Sequence, residues 1–326
     1  MRNLLTVFCL FCGTLLGPAV SPVEAEDLKI GGYMQNRYTV VEGDVNSFDV
    51  RRLRLEVSGE VARNLGLKVS ADFADGSEVK DAYLVFFPDG NISLFVGQMS
   101  VPFGREASRS SRIRETPERA RFVKAFFGDT RDQGGKIRLQ SDGLPIAIEL
   151  GVFTGAGPNS GDSDSYLDFV GRLQVGMPHE ITLGISGYYG HQDVPAFFGT
   201  NVAWGESVGS PILDKRNRNR YGFDVFIPTS FGSLRGEYVQ ARDGAFRAEG
   251  WLIQMNMPVS SQTLLVARFD RLADGDLIHS RFDTFTAGVV HDWNDHLRSR
   301  LFVERNFEDR NRTSNDALRC DLQMSF

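Results

Sequence analysis

Residues 52–61 read Arg52-Leu53-Arg54-Leu55-Glu56-Val57-Ser58-Gly59-Glu60-Val61. Successive side chains of an extended strand point to opposite sides, so Leu53, Leu55, Val57, Gly59 and Val61 share one face and Arg52, Arg54, Glu56, Ser58 and Glu60 the other. The same alternation returns along the chain. Leu65, Leu67, Val69, Ala71 and Phe73 lie opposite Lys68, Ser70 and Asp72; Leu167, Phe169, Gly171, Leu173 and Val175 lie opposite Asp168, Arg172 and Gln174; Tyr221, Phe223, Val225 and Ile227 lie opposite Arg220 and Asp224. A soluble β-sandwich also alternates, with its polar face toward water. Here the segments are long, and the second face holds opposed cations and anions rather than Thr and Ser. Many segments end in aromatics, as at Phe86-Phe87, Tyr188-Tyr189 and Trp293. Aromatics in those places would form the interfacial girdles of a barrel set in a membrane.

Segments of this kind number about sixteen between Leu28 and Phe326, separated by Gly, Pro, Asn and Asp. The expected fold is therefore all-β: a transmembrane antiparallel up-and-down β-barrel with an even strand count. Tight connections (Asp89-Gly90-Asn91, Ser141-Asp142-Gly143) alternate with long ones (Val101 to Arg131, Gln192 to Asn217), as expected of short turns at one end and long loops at the other. The last segment places Leu318, Cys320, Leu322, Met324 and Phe326 on one face. Such a strand ending in Phe326 looks like the insertion signal of outer-membrane proteins, and Cys320 reads as a small apolar filler.

The totals agree with this reading. Of 326 residues, 41% are hydrophobic and 24% charged, which is too polar for a bundle of membrane helices but suits a barrel that greases only alternate positions. Met1-Arg2-Asn3, the apolar run Leu4 to Leu16 and Val23-Glu24-Ala25 have the form of an export signal cleaved after Ala25. The expected organisation is a signal peptide over 1–25 and one barrel domain over 26–326. Cys9 and Cys12 leave with the signal, and Cys320 alone cannot make an internal disulfide.

Residues 101–131 form a long charged insert with eight cations and four acids, net +4, in a chain of net charge −6. A cationic segment in an acidic protein is a local feature, and its expected place is across the lumen as an anion-attracting constriction. The candidate anion-binding cations are Arg52 and Arg54 on the wall and Arg105, Arg109, Arg112, Arg114, Arg119, Arg121 and Lys124 on the loop. Charge rings compensate an ion for lost water, and arginine stays ionised and offers a planar fork of donors to an oxyanion. At an effective dielectric near 20, a cation about 4 Å from an anion contributes roughly 4 kcal/mol. The competing reading is a general, non-selective pore, in which Glu106, Glu115 and Glu118 neutralise half of the loop cluster and Glu56 and Glu60 do so for Arg52 and Arg54. A second basic run, Asp214 to Arg220, reads as a solvated rim in reach of lipopolysaccharide; it is too short and too poor in aromatics for nucleic acid.

Several pieces together resemble one family, the phosphate-selective porins O and P. These are Val50-Arg51-Arg52-Leu53-Arg54-Leu55, Lys80-Asp81-Ala82-Tyr83-Leu84, Gly97-Gln98-Met99-Ser100-Val101-Pro102-Phe103-Gly104-Arg105-Glu106, Gly151-Val152-Phe153-Thr154-Gly155, Gly236-Glu237-Tyr238 and Glu249-Gly250-Trp251. The Gly-Gln-x-x-x-Pro-Phe-Gly piece is the most specific. The resemblance implies a trimeric, sixteen-stranded outer-membrane channel whose third loop folds inward, with phosphate-type inorganic anions as solutes and lipid and lipopolysaccharide around it. Arg52 and Arg54 match the family's inward arginines of the second strand. The family's lysine cluster is represented only by Lys124.

Rival classes are an outer-membrane hydrolase and a secreted β-sandwich binding module. His179, His191, His279, His291 and His296 lie in no nucleophile or metal frame, and His291 to His296 reads as a turn. Asp270, Asp274 and Asp276 lack calcium-loop spacing. Gly155 to Asn159 follows a strand but lacks the helix and lysine of a phosphate cradle. No catalytic residue, cofactor or metal is expected.

Overall fold

Where apolar and charged residues alternate over a long segment and both surroundings are available, lipid outside and water inside, the strand can satisfy both faces only in a closed sheet. The computed structural model shows this closure. It describes residues 28–44, 46–141, 143–162, 166–192, 216–244, 246–274, 280–308 and 315–326. The expected signal peptide, most of the loop from Gln192 to Asn217, Asp214, Lys215, Asp276 and His279 lie outside the described residues.

The strands are β1 (Lys29–Val41), β2 (Ser47–Ala62), β3 (Leu65–Asp72), β4 (Glu78–Asp89), β5 (Ile92–Ser100), β6 (Arg131–Gln140), β7 (Ile146–Phe153), β8 (Asp168–Gly176), β9 (Thr182–Gln192), β10 (Arg216–Thr229), β11 (Gly232–Asp243), β12 (Phe246–Pro258), β13 (Thr263–Asp274), β14 (Ser280–Asp292), β15 (Leu297–Glu308) and β16 (Ala317–Ser325). Each pairs antiparallel with its neighbours in sequence, and β1 pairs with β16, so sixteen strands form one closed barrel. At the seam the Gly32 N–H donates to the Phe326 carbonyl at 3.0 Å and the Phe326 N–H to the Gly32 carbonyl at 3.1 Å. Short turns, such as 63–64, 90–91 and 230–231, lie at the end where β1 starts and β16 stops; the long connection 101–130 lies at the other, as do the end of β9 and the start of β10.

Polarity is inverted relative to a soluble protein. Leu55, Val96, Ile185, Tyr221, Leu301 and Leu322 point outward and are between 44% and 59% exposed. Arg37, Asp168, Arg220, Asp224, Arg300 and Asp321 point inward and are at most 3% exposed. Tyr38, Phe48, Phe73, Phe169, Tyr189 and Phe307 are exposed on the outer surface near the long-loop end, and Trp293 and Phe326 near the other. Of the Tyr188-Tyr189 pair, only Tyr189 faces out. Tyr188 turns in to hydrogen-bond Asp168, because neighbouring strand residues cannot share a face.

Two irregularities in the ladder add cations to the lumen. Gln35 pairs with Arg52 but Asn36 with Val50, so Arg51 is an extra residue in a bulge and faces inward beside Arg52. A second register shift in β4 leaves Lys80 unpaired opposite β3, and it reaches Asp129 of the loop at 3.0 Å.

The β5–β6 insert enters the barrel through a neck closed by the Val101 N–H and the Thr130 carbonyl at 3.0 Å. It is not wholly loop: it contains two short helices, α1 (Arg105–Ser108) and α2 (Arg121–Phe127). Each is too brief for helical periodicity to show in the sequence. Strand β6 begins at Arg131, taking in the end of the expected loop.

Candidate permeation site

The loop is held by one side and presents the other. Its apolar residues Phe103, Ala107, Ala120, Phe122, Val123 and Phe126 are buried against inward-facing Phe153, Tyr188, Val239, Ala241, Leu252 and Leu272. Glycines on the wall make room for the rings. A Cβ at Gly250 would stand 2.1 Å from the Phe122 Cβ, and one at Gly222 would stand 2.9 Å from the Phe103 ring. Wall carboxylates receive the free amides of both helix starts. Glu237 accepts from the Arg105 and Glu106 N–H groups at 3.0 and 2.7 Å, and Asp270 from the Arg121 N–H at 3.1 Å.

The loop's acids point mostly at wall cations. Glu106 lies 3.5 Å from Arg268 and 4.0 Å from Arg235. Glu115 meets Arg235 at 2.9 Å and Arg109 at 2.7 Å. Glu118 sits among Arg37 at 2.5 Å, Arg51 at 3.1 Å and Lys124 at 3.3 Å. Burial opposes the charge on Glu118, yet Lys124, Arg51 and Arg37 hold its carboxyl well below the usual range. Of the three acids expected to neutralise half of the loop cluster, Glu115 bonds Arg109 and Glu118 bonds Lys124, while Glu106 faces the wall arginines. On the wall, Arg54 and Arg52 meet Asp72, at 3.0 and 3.6 Å, rather than Glu56 or Glu60. Glu56 pairs with Lys68 at 2.9 Å, and Glu60 accepts the Asn64 N–H.

The nine candidate cations therefore part company. Arg54, Arg109, Arg112 and Arg119 come together on a cavity of about 220 Å³ between the loop and the wall of β1 to β6. Arg52 stands on the inward face one step from Arg54. Arg105 leans on Asp224 at 3.4 Å and over the Phe226 ring at 5.1 Å. Arg121 reaches Asn306 at 2.6 Å and Thr284 at 3.0 Å on the far wall. Arg114 is 1% exposed and gives its donors to the Thr116 and Pro117 carbonyls at 3.3 and 3.1 Å. Burial and the neighbouring Arg119 push its guanidinium below the usual arginine range. Lys124 is exposed beside Glu118.

Three further cations complete the cavity: Lys68 on β3, and Arg131 and Lys136 on β6. With Glu56 and Asp81 as its carboxylates, the lining has five more cations than carboxylates, and Arg54, Arg109, Arg131 and Lys136 pair with Asp72, Glu115, Asp129 and Glu149 behind it. The alternation of those strands was the signal available for them. Among the described residues Arg112 and Arg119 belong to no ion pair; Arg119 donates to the Ala107 and Arg109 carbonyls at 3.2 and 3.0 Å. Cations face the cavity from both the wall and the loop.

The other motifs resolve simply. The run ending at Arg220 is not a solvated rim in its described part: β10 has begun, and alternation turns Arg218 to Tyr188 at 3.4 Å and Arg220 to Asp243 at 2.6 Å. Gly155 to Asn159 is a loop folded over Asp132, which accepts the Gly155 and Gly157 N–H groups at 2.8 and 3.2 Å. His291 and Asp292 end β14, followed by a turn to β15. Among the described residues no group of three His, Cys, Asp or Glu is placed to hold a metal, and no helix is long and apolar enough to cross a membrane.

A closed sixteen-stranded cylinder with an apolar exterior, a charged interior and a loop folded into its lumen is an outer-membrane porin channel. The family model for phosphate-selective porin O and P matches residues 28–198, and the chain belongs to that family. Similar solved structures include the anion-selective porin from Comamonas acidovorans, with 11% identity, TM-score 0.69, and coverage of 92% of this chain and 99% of that one. OmpT of Vibrio cholerae, folded in vitro and in a trimer form, has 10% identity, TM-score 0.68, and coverage of 92% and 99%. OmpF of Salmonella typhi in complex with daunomycin has 11% identity, TM-score 0.65, and coverage of 94% and 100%. At such identities the likeness is one of fold. No curated protein sequence matches the chain significantly.

Proposed function

We propose that this channel is passive and anion-preferring, with phosphate-type oxyanions among its solutes. The observation that carries this reading is the cationic excess of five on the cavity, supplied by wall and loop alike. A non-selective pore that sets arginines on one wall against acids on the other needs free acids, and the loop's acids are already paired, with wall cations and with Arg109 and Lys124. Arg54, Arg109, Arg112 and Arg119, joined by Lys68, Arg131 and Lys136, form the path in this reading. Arg105, Arg114 and Arg121 fix the loop that carries it. Arg112 and Arg119 are the strongest attractors, because among the described residues neither belongs to an ion pair.

The same reading makes residues 1–25 the export signal, 26–326 the barrel domain, and Phe326 part of its insertion signal. It makes the channel a homotrimer in lipid and lipopolysaccharide; the family resemblance and the trimer form of the similar Vibrio cholerae protein support this. The test is titration of the chloride current through reconstituted channels with inorganic phosphate. Arg112→Ala combined with Arg119→Ala is expected to raise the half-blocking phosphate concentration about tenfold, equivalent to about 1.4 kcal/mol. An unchanged value would remove both from the site.

A further inference from the structure

Small inorganic anions need cations and water, and gain nothing from aromatic surface. The cationic cavity nonetheless has an aromatic side. Tyr83 on β4 and Phe95 on β5 face inward at 5.6 Å between ring centroids, edge to face, and both line the cavity. Both pack against the buried apolar cluster shared by loop and wall, which fixes the rings in place. The Lys136 ammonium lies 5.0 Å from the centroid of Phe95, and the Arg54 guanidinium 5.8 Å from that of Tyr33, a third ring on the same cavity. Among the described residues nothing hydrogen-bonds the Tyr83 hydroxyl, which leaves it a donor for a solute.

We propose that the cavity is a binding site for organic anions made of one planar ring and one carboxylate, as in benzoate. The inference rests on the anion-preferring reading and adds the ring. The carboxylate lies among the cations near Arg119, while the ring lies against Tyr83 and Phe95, whose faces and edges suit offset or edge-to-face packing. Size limits the class: about 220 Å³ falls short of the roughly 300–1,000 Å³ of pockets for drug-sized ligands, so one ring fits and a nucleotide does not.

The experiment uses the full-length protein reconstituted in planar bilayers, with its chloride current titrated by benzoate, acetate or inorganic phosphate. Benzoate is expected to half-block at a concentration about five- to tenfold below acetate. In the Tyr83→Leu, Phe95→Leu double variant that advantage disappears, while phosphate block and the anion-to-cation permeability ratio stay as in the wild type. A heat-modifiable gel shift identifies folded variant. Equal block by benzoate and acetate in the wild type overturns the proposal without any variant, as does a double variant that retains the benzoate advantage. A wild-type channel without anion preference overturns the underlying reading and this one with it.

Discussion

Gly250 and Phe122 show how much of the channel depends on single contacts. Gly250 is the socket for a fully buried ring, and its backbone stands too close for any Cβ. Gly250→Ala is expected to dislodge α2 at a cost of about 1–3 kcal/mol, the usual range for overpacking, while the barrel itself stays closed. The measurement is single-channel recording, where a displaced loop gives a larger and noisier conductance; a conductance identical to wild type would contradict the socket. Phe122→Ala approaches the same contact from the other side and should cost about 3–5 kcal/mol of loop docking, read as protease cleavage within residues 101–130 of the folded channel.

At the scale of the element, the β5–β6 loop is pinned by carboxylates that stay charged although buried. Burial works against Glu106 and Asp129 as well as Glu118, yet Arg235 and Arg268 around the first and Arg131 and Lys80 around the second keep these carboxyls below their usual values. A carboxyl depressed in the folded state contributes fully above its unfolded value, near about 4, and loses that contribution as pH falls through the folded value. The contribution of these three carboxylates to holding the loop is therefore expected to fall, and open-channel noise to rise, as pH drops below about 4. Noise unchanged down to about pH 2.5 would show that these pairs do not hold the loop. The position of this element was legible in its charge, since eight cations cannot face lipid. Its internal order was not. Which arginine meets which carboxylate depends on barrel register, which places Arg235 and Arg268 under Glu106 from more than a hundred residues away. A clue did exist in β11 and β12, where Val239, Ala241, Ala248 and Leu252 break the charged inward face and mark the surface the loop covers.

For the whole molecule, alternation over sixteen segments made the barrel readable, because lipid and lumen impose a period of two on every strand. The seam was readable too, since Phe326 lies in the same alternation as Leu322 and Met324. Bulges were not: the extra residue at Arg51 adds a lumen cation that strict alternation assigns to the outer face. A closed hydrogen-bonded cylinder resists detergent, so the unheated protein is expected to migrate faster on a denaturing gel than the boiled one; equal mobility would argue against closure. Above all, cations on both sides of the passage should set the sign of selectivity. The zero-current potential of reconstituted wild-type channels under a potassium chloride gradient measures that sign directly. The cavity's excess positive charge predicts a potential of anion preference, reduced or reversed by Arg109→Glu, Arg112→Glu and Arg119→Glu together; a wild-type potential of zero or of cation preference would contradict it.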